Sequence, residues 1–256
     1  MKVKLVQMTE APTSVMWVAA RTCYSAKSPI EIWDTCGEVD IDKKWALVKK
    51  VLSSGHDSIA EHVYFTFVIE GISRACSHQL VRHRAGIVFS QQSQRYVEFK
   101  ESYDTLVQAF DGNTEQQEQY LKTIAEKYFV DVTSDNYRDY IQALINYLGA
   151  VKRGIKPEDA RNILPNATKT NITMSLNYRE LIHICNLRLC TRAQQEIRNL
   201  FKLVVQEVRA KDERLASYLV PKCDVTSTCS EHQCCGRKPQ LEEVLEGYYK
   251  YKDLEK

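Results

Sequence analysis

No apolar run in this 256-residue sequence approaches the roughly 20 residues of a membrane-crossing helix. The opening MKVKLVQMTEAP is too short and too polar for a secretory leader, and its alternation reads as a strand. A cytoplasmic protein with no membrane partner is expected. A dominant charge is lacking too: 35 Lys and Arg against 33 Asp and Glu leave a net +2. The chain is not a polycation built for nucleic acid, and it carries no aromatic base-stacking motif. Any anion site has to be local. Regular pairs of C-x-x-C are absent. Nine cysteines, an odd and widely spread set, suit reduced thiols better than a secreted disulfide framework. No internal repeat or low-complexity linker interrupts the chain.

What is present is an ordinary globular balance, 44% hydrophobic and 27% charged. After the first strand, TSVMWVAARTCYS repeats Val15, Val18, Ala19 and Thr22 at helical spacing. A second helix, KKWALVKKVLSSG, sets Trp45, Val48, Val51 and Leu52 on one side, with Gly55 placed to end it. HVYFTFVIEG is rich in β-branched and aromatic residues and predicts a buried strand; QRYVEF predicts another. Between them ISRACSHQLVRH has helical spacing, which puts Arg82 to Arg84 near a helix end. Residues 113–152 read as helical, with Tyr120, Ile124 and Tyr128 forming one stripe. Pro157 is suited to the first turn of a short helix. Asn177 with Glu180, and Thr191 with Gln194, have capping-box spacing ahead of the last long helices. The expected fold is α+β: a central, mostly antiparallel sheet flanked by helices, with a helix-rich second half. Residues 1–220 are expected to form one domain and 221–256 a Cys-rich extension.

Several clusters could carry chemistry. Arg82, His83 and Arg84 offer two planar forks that match phosphate oxygens, although taken alone a solvated basic turn is the plainer reading. Arg179 and His183, four apart, share a helix face, and Asn177 and Arg188 are about three turns apart on that helix. An exposed basic face is the plain alternative. Arg161, ahead of NILPNATKT, is as ambiguous. In GHDSIAEH, the set His56, Asp57, Glu61 and His62 matches no metal motif, and a turn capped by Ser58 accounts for it. Cys223, Cys229, His232, Cys234 and Cys235 crowd the tail in a spacing unlike zinc knuckles. No metal is expected.

Taken together, RHR followed by SQRY, preceded by GHDSIAEHVYFTF and followed by NYRELIHICNLR and AQQEIR, resembles the flavin-dependent thymidylate synthase family. The likeness runs from about Ala19 to about Leu203, apart from the helical middle. The span Ala85–Gln92, between the second arginine and Ser93, is one residue longer than the family's usual spacing. The resemblance implies FAD as cofactor and deoxyuridine monophosphate (dUMP) as substrate, bound between subunits of a homotetramer. It implies methylenetetrahydrofolate as carbon donor and NADPH as reductant. By the same resemblance Ser58, Glu61, Arg82, His83, Arg84, Gln91, Asn177, Arg179 and His183 would contact the flavin cofactor. Gln79, Arg82, Gln91, Gln92, Ser93, Gln94, Arg95, Arg161 and Arg188 would hold dUMP.

The chemistry agrees with these residue types. A pyrophosphate and a phosphate call for several arginines, and backbone N–H groups of the Gln92–Arg95 loop add donors. Arg188 is the expected catalytic residue: a guanidinium near uracil N3 and O4 stabilises negative charge as C5 becomes nucleophilic. Ser93 is assigned to binding, because no histidine is placed by the sequence to activate it. No cysteine lies in a motif resembling the catalytic cysteine of the folate-only thymidylate synthases, so cysteine substitution is expected to spare the chemistry.

Overall fold

The computed structural model describes residues 1–245. Residues 246–256, the end of the Cys-rich extension, lie outside the described residues. In chain order the elements are β1 (Lys2–Met8), α1 (Pro12–Tyr24), α2 (Pro29–Thr35), α3 (Ile41–Ser53), β2 (Tyr64–Ser73), α4 (Arg74–Leu80), β3 (Ile87–Gln91), α5 (Tyr103–Asp111), α6 (Glu115–Tyr128), α7 (Tyr137–Lys152), α8 (Pro157–Ala160), β4 (Lys169–Asn177), α9 (Tyr178–Arg188), α10 (Gln195–Arg209), α11 (Glu213–Ala216) and α12 (Lys222–Thr226). The strands form one antiparallel sheet in the order β1-β2-β4-β3, so the fold is α+β as expected. Among the described residues no helix is long and apolar enough to cross a membrane.

The chain divides into two compact units. The first holds Met1–Lys2, Ile69–Arg82 and Phe89–Thr173. Its core is helical: Leu106, Leu121, Ala125, Ile141 and Leu144 are buried, and Phe129 stacks on Tyr140 with ring centroids 4.9 Å apart. Helix α6 begins with a complete capping box, Thr114 and Gln117 each bonding the other's backbone N–H. Its buried stripe is Leu121, Ile124 and Ala125; of the expected stripe only Ile124 is buried, while Tyr120 and Tyr128 are half-buried and the Tyr128 hydroxyl donates to Glu101 at 2.7 Å.

The second unit holds Val3–Val68, His83–Val88 and the chain from Met174 on. Its core includes Met16, Val48, Phe65, Phe67, Leu181, Ile184, Ile197, Leu200 and Phe201. Tyr178 is buried and donates its hydroxyl to the Leu215 carbonyl at 2.7 Å. Gly55, at φ +80°, ends α3 as expected.

Four local expectations change. Helix α1 buries Thr13, Met16 and Ala20, while Val15, Val18 and Ala19 are half-buried and Thr22 is exposed. The buried Lys44 ammonium reaches Ser14 Oγ at 3.1 Å, so the α1–α3 contact takes a polar pair in place of the apolar stripe. QRYVEF is not a strand: Val97 N–H turns back to the Ser93 carbonyl at 3.0 Å, and β3 lies upstream at Ile87–Gln91. The extra residue of the Ala85–Gln92 span therefore falls in a segment made of a turn and a strand. Helix α10 starts at Gln195, capped by Gln194 Oε1 accepting from Ile197 N–H at 3.3 Å; Thr191 lies outside it. Ser58 lies inside the 3-10 turn Asp57–His62 and does not cap it.

Candidate active site

Helix α9 carries the densest part of the site, and local chemistry explains its start. Asn177 Oδ1 accepts the Glu180 N–H at 2.8 Å, a helix cap that spares an otherwise unpaired donor. Asn177 N–H in turn donates to the Gly86 carbonyl at 2.9 Å, and Tyr178 N–H to the Val63 carbonyl at 2.8 Å. The cap thereby ties α9 to the loop that follows Arg84. Gly86 sits at φ +64°, and a Cβ there would run into the Asn177 side-chain amide. Both the conformation and the close approach require glycine.

Glu180 does not complete the expected capping box. Its carboxylate turns to His83, with Oε1 3.6 Å from Nδ1. On the other edge of the imidazole, Arg188 Nε–H donates to Nε2 at 3.1 Å. His83 and Glu180 are 8% and 7% exposed, so their electrostatics are felt at low dielectric. Burial, with help from the Arg188 and His183 charges, lowers the His83 pKa to about 4. The imidazole is neutral at physiological pH. Burial pushes the Glu180 carboxyl above the usual range, opposed by His183.

Glu180 and Asn177 border a cleft of about 670 Å³, lined also by Glu61, Ala85, Gly86, Arg179, His183 and Asn186. Arg179 and Glu61 form an ion pair on its rim, with both side chains about half exposed. Asn186 lines this cleft and the pocket of the Cys-rich tail alike, and among the described residues its buried Oδ1 has no hydrogen-bond partner. A buried acceptor without a donor calls for a ligand or water N–H or O–H. Of the expected flavin contacts, Glu61, Asn177, Arg179 and His183 line this cleft; Ser58, Arg82 and Arg84 are exposed and lie outside its lining. Sequence reasoning missed Gly86 and Asn186, and saw in Glu180 only a cap.

The first unit brings together the other half of the expected residues. Gln92 Oε1 accepts from Asn171 Nδ2 at 2.9 Å, and Ser93 Oγ accepts the Arg95 N–H at 3.1 Å, so a hydrogen-bonded turn shapes this loop. Gln92, Ser93 and Gln94 line a cleft with Phe99, Tyr128 and Lys169. Gln91 points elsewhere, donating to Ser77 Oγ at 3.0 Å and Thr170 Oγ1 at 3.2 Å. Glu158 gathers two arginines: its carboxylate accepts from Arg95 Nε at 2.8 Å, and its carbonyl from Arg161 Nε at 2.9 Å. Gln79 is half-buried on α4. Arg74, at the start of the same helix, has its pKa lowered by burial and by the Arg161 charge. Two guanidiniums held within each other's field favour an anion beside them. The capping serine before Arg74 was the available signal in the sequence.

The tail packs against helix α9, and its pocket shares Asn186 with the α9 cleft. Cys190, Cys223, Cys229 and Cys235 line a cavity of about 50 Å³ in the second unit. Among the described residues no group of three His, Cys, Asp or Glu is placed to hold a metal ion.

The protein family described as thymidylate synthase complementing protein matches residues 4–212. The chain belongs to the flavin-dependent thymidylate synthase family. The flavin-dependent thymidylate synthase of Geobacter sulfurreducens is 37% identical over 96% of this chain and 98% of its own. That of Pyrococcus furiosus is 36% identical over 90% of this chain and 89% of its own. A crystal structure of thymidylate synthase X from Helicobacter pylori with FAD and dUMP superposes with a TM-score of 0.66 at 25% identity, covering 86% of this chain and 99% of that one. Within flavin-dependent thymidylate synthases the match takes in both site clusters and ends short of the Cys-rich tail.

Proposed function

We propose that this chain is a flavin-dependent thymidylate synthase that converts dUMP to dTMP, with FAD as cofactor. The carrying observation is the α9 cluster: Asn177, Arg179, Glu180 and His183 line one cleft, and the His83–Arg188 pair is tied to it through Glu180, within a chain that matches the family over residues 4–212. The finer reading adds methylenetetrahydrofolate as carbon donor, NADPH as reductant and tetrahydrofolate as coproduct. It also adds a cytoplasmic homotetramer with sites shared between subunits. Residues 1–220 would be the catalytic domain and 221–256 a Cys-rich extension.

The residues fit a flavin nucleotide on two observations. Asn186, which lines the cleft, has a buried Oδ1 without a donor among the described residues, and an isoalloxazine presents an N–H. Gly86 leaves room for the Asn177 side-chain amide at the cleft wall, which a Cβ there would strike. Ser58, Glu61, Arg82, His83, Arg84, Gln91, Asn177, Arg179 and His183 would hold FAD, which when bound supplies hydride transfer. Gln79, Arg82, Gln91, Gln92, Ser93, Gln94, Arg95, Arg161 and Arg188 would hold dUMP, and Arg74 supports the same anion. The arginines neutralise phosphate; Arg188 stabilises charge on the uracil ring as C5 attacks.

Purified protein should be yellow, or take up FAD. It should release tritium from C5 of labelled dUMP only when reductant and folate donor are both supplied. Protein that neither carries nor takes up FAD would refute the reading.

A further inference from the structure

We propose that Glu180 is a positioning residue for this reaction, acting through His83 on Arg188; the proposal rests on the functional reading above. The argument starts from the arginine. A guanidinium has donors and no acceptor. At the 3.1 Å contact, Arg188 Nε–H is therefore the donor and His83 Nε2 the acceptor. The single proton of the neutral imidazole must then sit on Nδ1. Nδ1 faces Glu180 Oε1 at 3.6 Å, longer than a hydrogen bond but well within electrostatic reach in a buried setting.

The other tautomer would be costly. It would put an N–H on Nε2 against the N–H of Arg188, donor against donor, and leave a lone pair on Nδ1 facing a carboxylate. The charged and titratable groups around His83 are Glu180, Arg188 and His183. Two of these favour a proton at Nδ1: Arg188 as the donor at Nε2, and Glu180 as the carboxylate facing Nδ1. Arg188 and His183 oppose positive charge on the ring, which keeps it neutral. Glu180 thereby holds the imidazole in the tautomer that accepts from Arg188, before and after substrate competes for the guanidinium. That bond fixes the guanidinium plane, and with it the direction of the terminal amino groups toward substrate.

Glu180 is held for this task by its own backbone: the cap bond from Asn177 sets the first turn of α9. Its side chain is then released from the reciprocal cap it could have made. The cap needs only the backbone N–H of residue 180, so a substitution there leaves it intact.

The test separates the two half-reactions. In Glu180→Ala, tritium release from dUMP should fall about a hundredfold, the scale of a small misplacement of a catalytic group, while NADPH reduces the bound flavin at close to the native rate. Glu180→Gln, whose amide oxygen can keep its negative end toward Nδ1–H, should recover most of the loss. Should Glu180→Ala fail to fold, Glu180→Asp, which withdraws the carboxylate by one methylene, carries the same expectation. Native tritium release in the Ala or Asp variant overturns the proposal. So does an equal fall of both half-reactions that Gln does not relieve, which would mark a merely structural residue. Failure of the functional reading is read separately, from wild-type protein that binds no FAD or releases no tritium.

Discussion

Arg188 donates its Nε–H to Nε2 of His83 at 3.1 Å, across 105 residues of chain. One residue ends helix α9 and the other follows helix α4, and the bond between them requires the imidazole to be neutral.

That neutrality sets a pH dependence of stability. In the unfolded chain His83 titrates near 6.5; in the folded protein its pKa is lowered to about 4. Between these values the unfolded state binds a proton that the native state refuses. Stability from this group is thus unchanged above 6.5 and is lost as pH falls toward 4. Thermal melts stepped across this window should show the native protein losing stability, with a shallower loss in His83→Asn. Equal slopes for the two proteins would contradict the assignment.

Arg188→Ala should bind FAD and lose dTMP formation by at least about a hundredfold, the cost of removing one group that stabilises developing charge. Flavin absorbance and product formation, measured on the same preparation, check this. Native turnover in the variant would show that Arg188 has no part in activating the uracil.

Gly86→Ala meets two obstacles, a left-handed backbone at φ +64° and the Asn177 amide in the path of the new Cβ. The backbone alone costs about 1–2 kcal/mol. A chain of this size should then melt about 2–4 °C lower per kcal/mol. The displaced Asn177 should also weaken FAD uptake, read by flavin titration. A variant with native melting and native flavin affinity would mean the loop simply moves aside.

Cysteine chemistry should be dispensable. Cys76 and Cys185 are buried, and burial pushes the Cys185 thiol far above its usual range, away from the reactive thiolate. Ser in place of Cys23, Cys190, Cys223, Cys229, Cys234 or Cys235 should leave dTMP formation near the native rate. A variant that binds FAD and dUMP yet no longer turns over would disprove this.

The parts legible in the sequence are those set by near neighbours. Asn177 caps α9 because its side chain reaches a backbone donor three residues on. Gly55 ends α3 because glycine takes a positive φ without penalty. The buried strand β2 follows from its run of β-branched and aromatic residues. The family resemblance, too, rests on short strings of residues, and it placed Asn177, Arg179 and His183 where one cleft gathers them.

What the sequence could not decide depends on contacts between distant segments. QRYVEF has strand composition, yet the Ser93 turn claims its backbone donors. The stripe of α1 has the right period, but a buried Lys44–Ser14 pair decides which face turns inward. Glu180 had two possible partners, the cap donor three residues back and an imidazole 97 positions away (180 − 83), the two atoms of that pair lying 3.6 Å apart. Local spacing names the first. Only the packed tertiary structure, which buries both side chains and removes water as a competitor, selects the second.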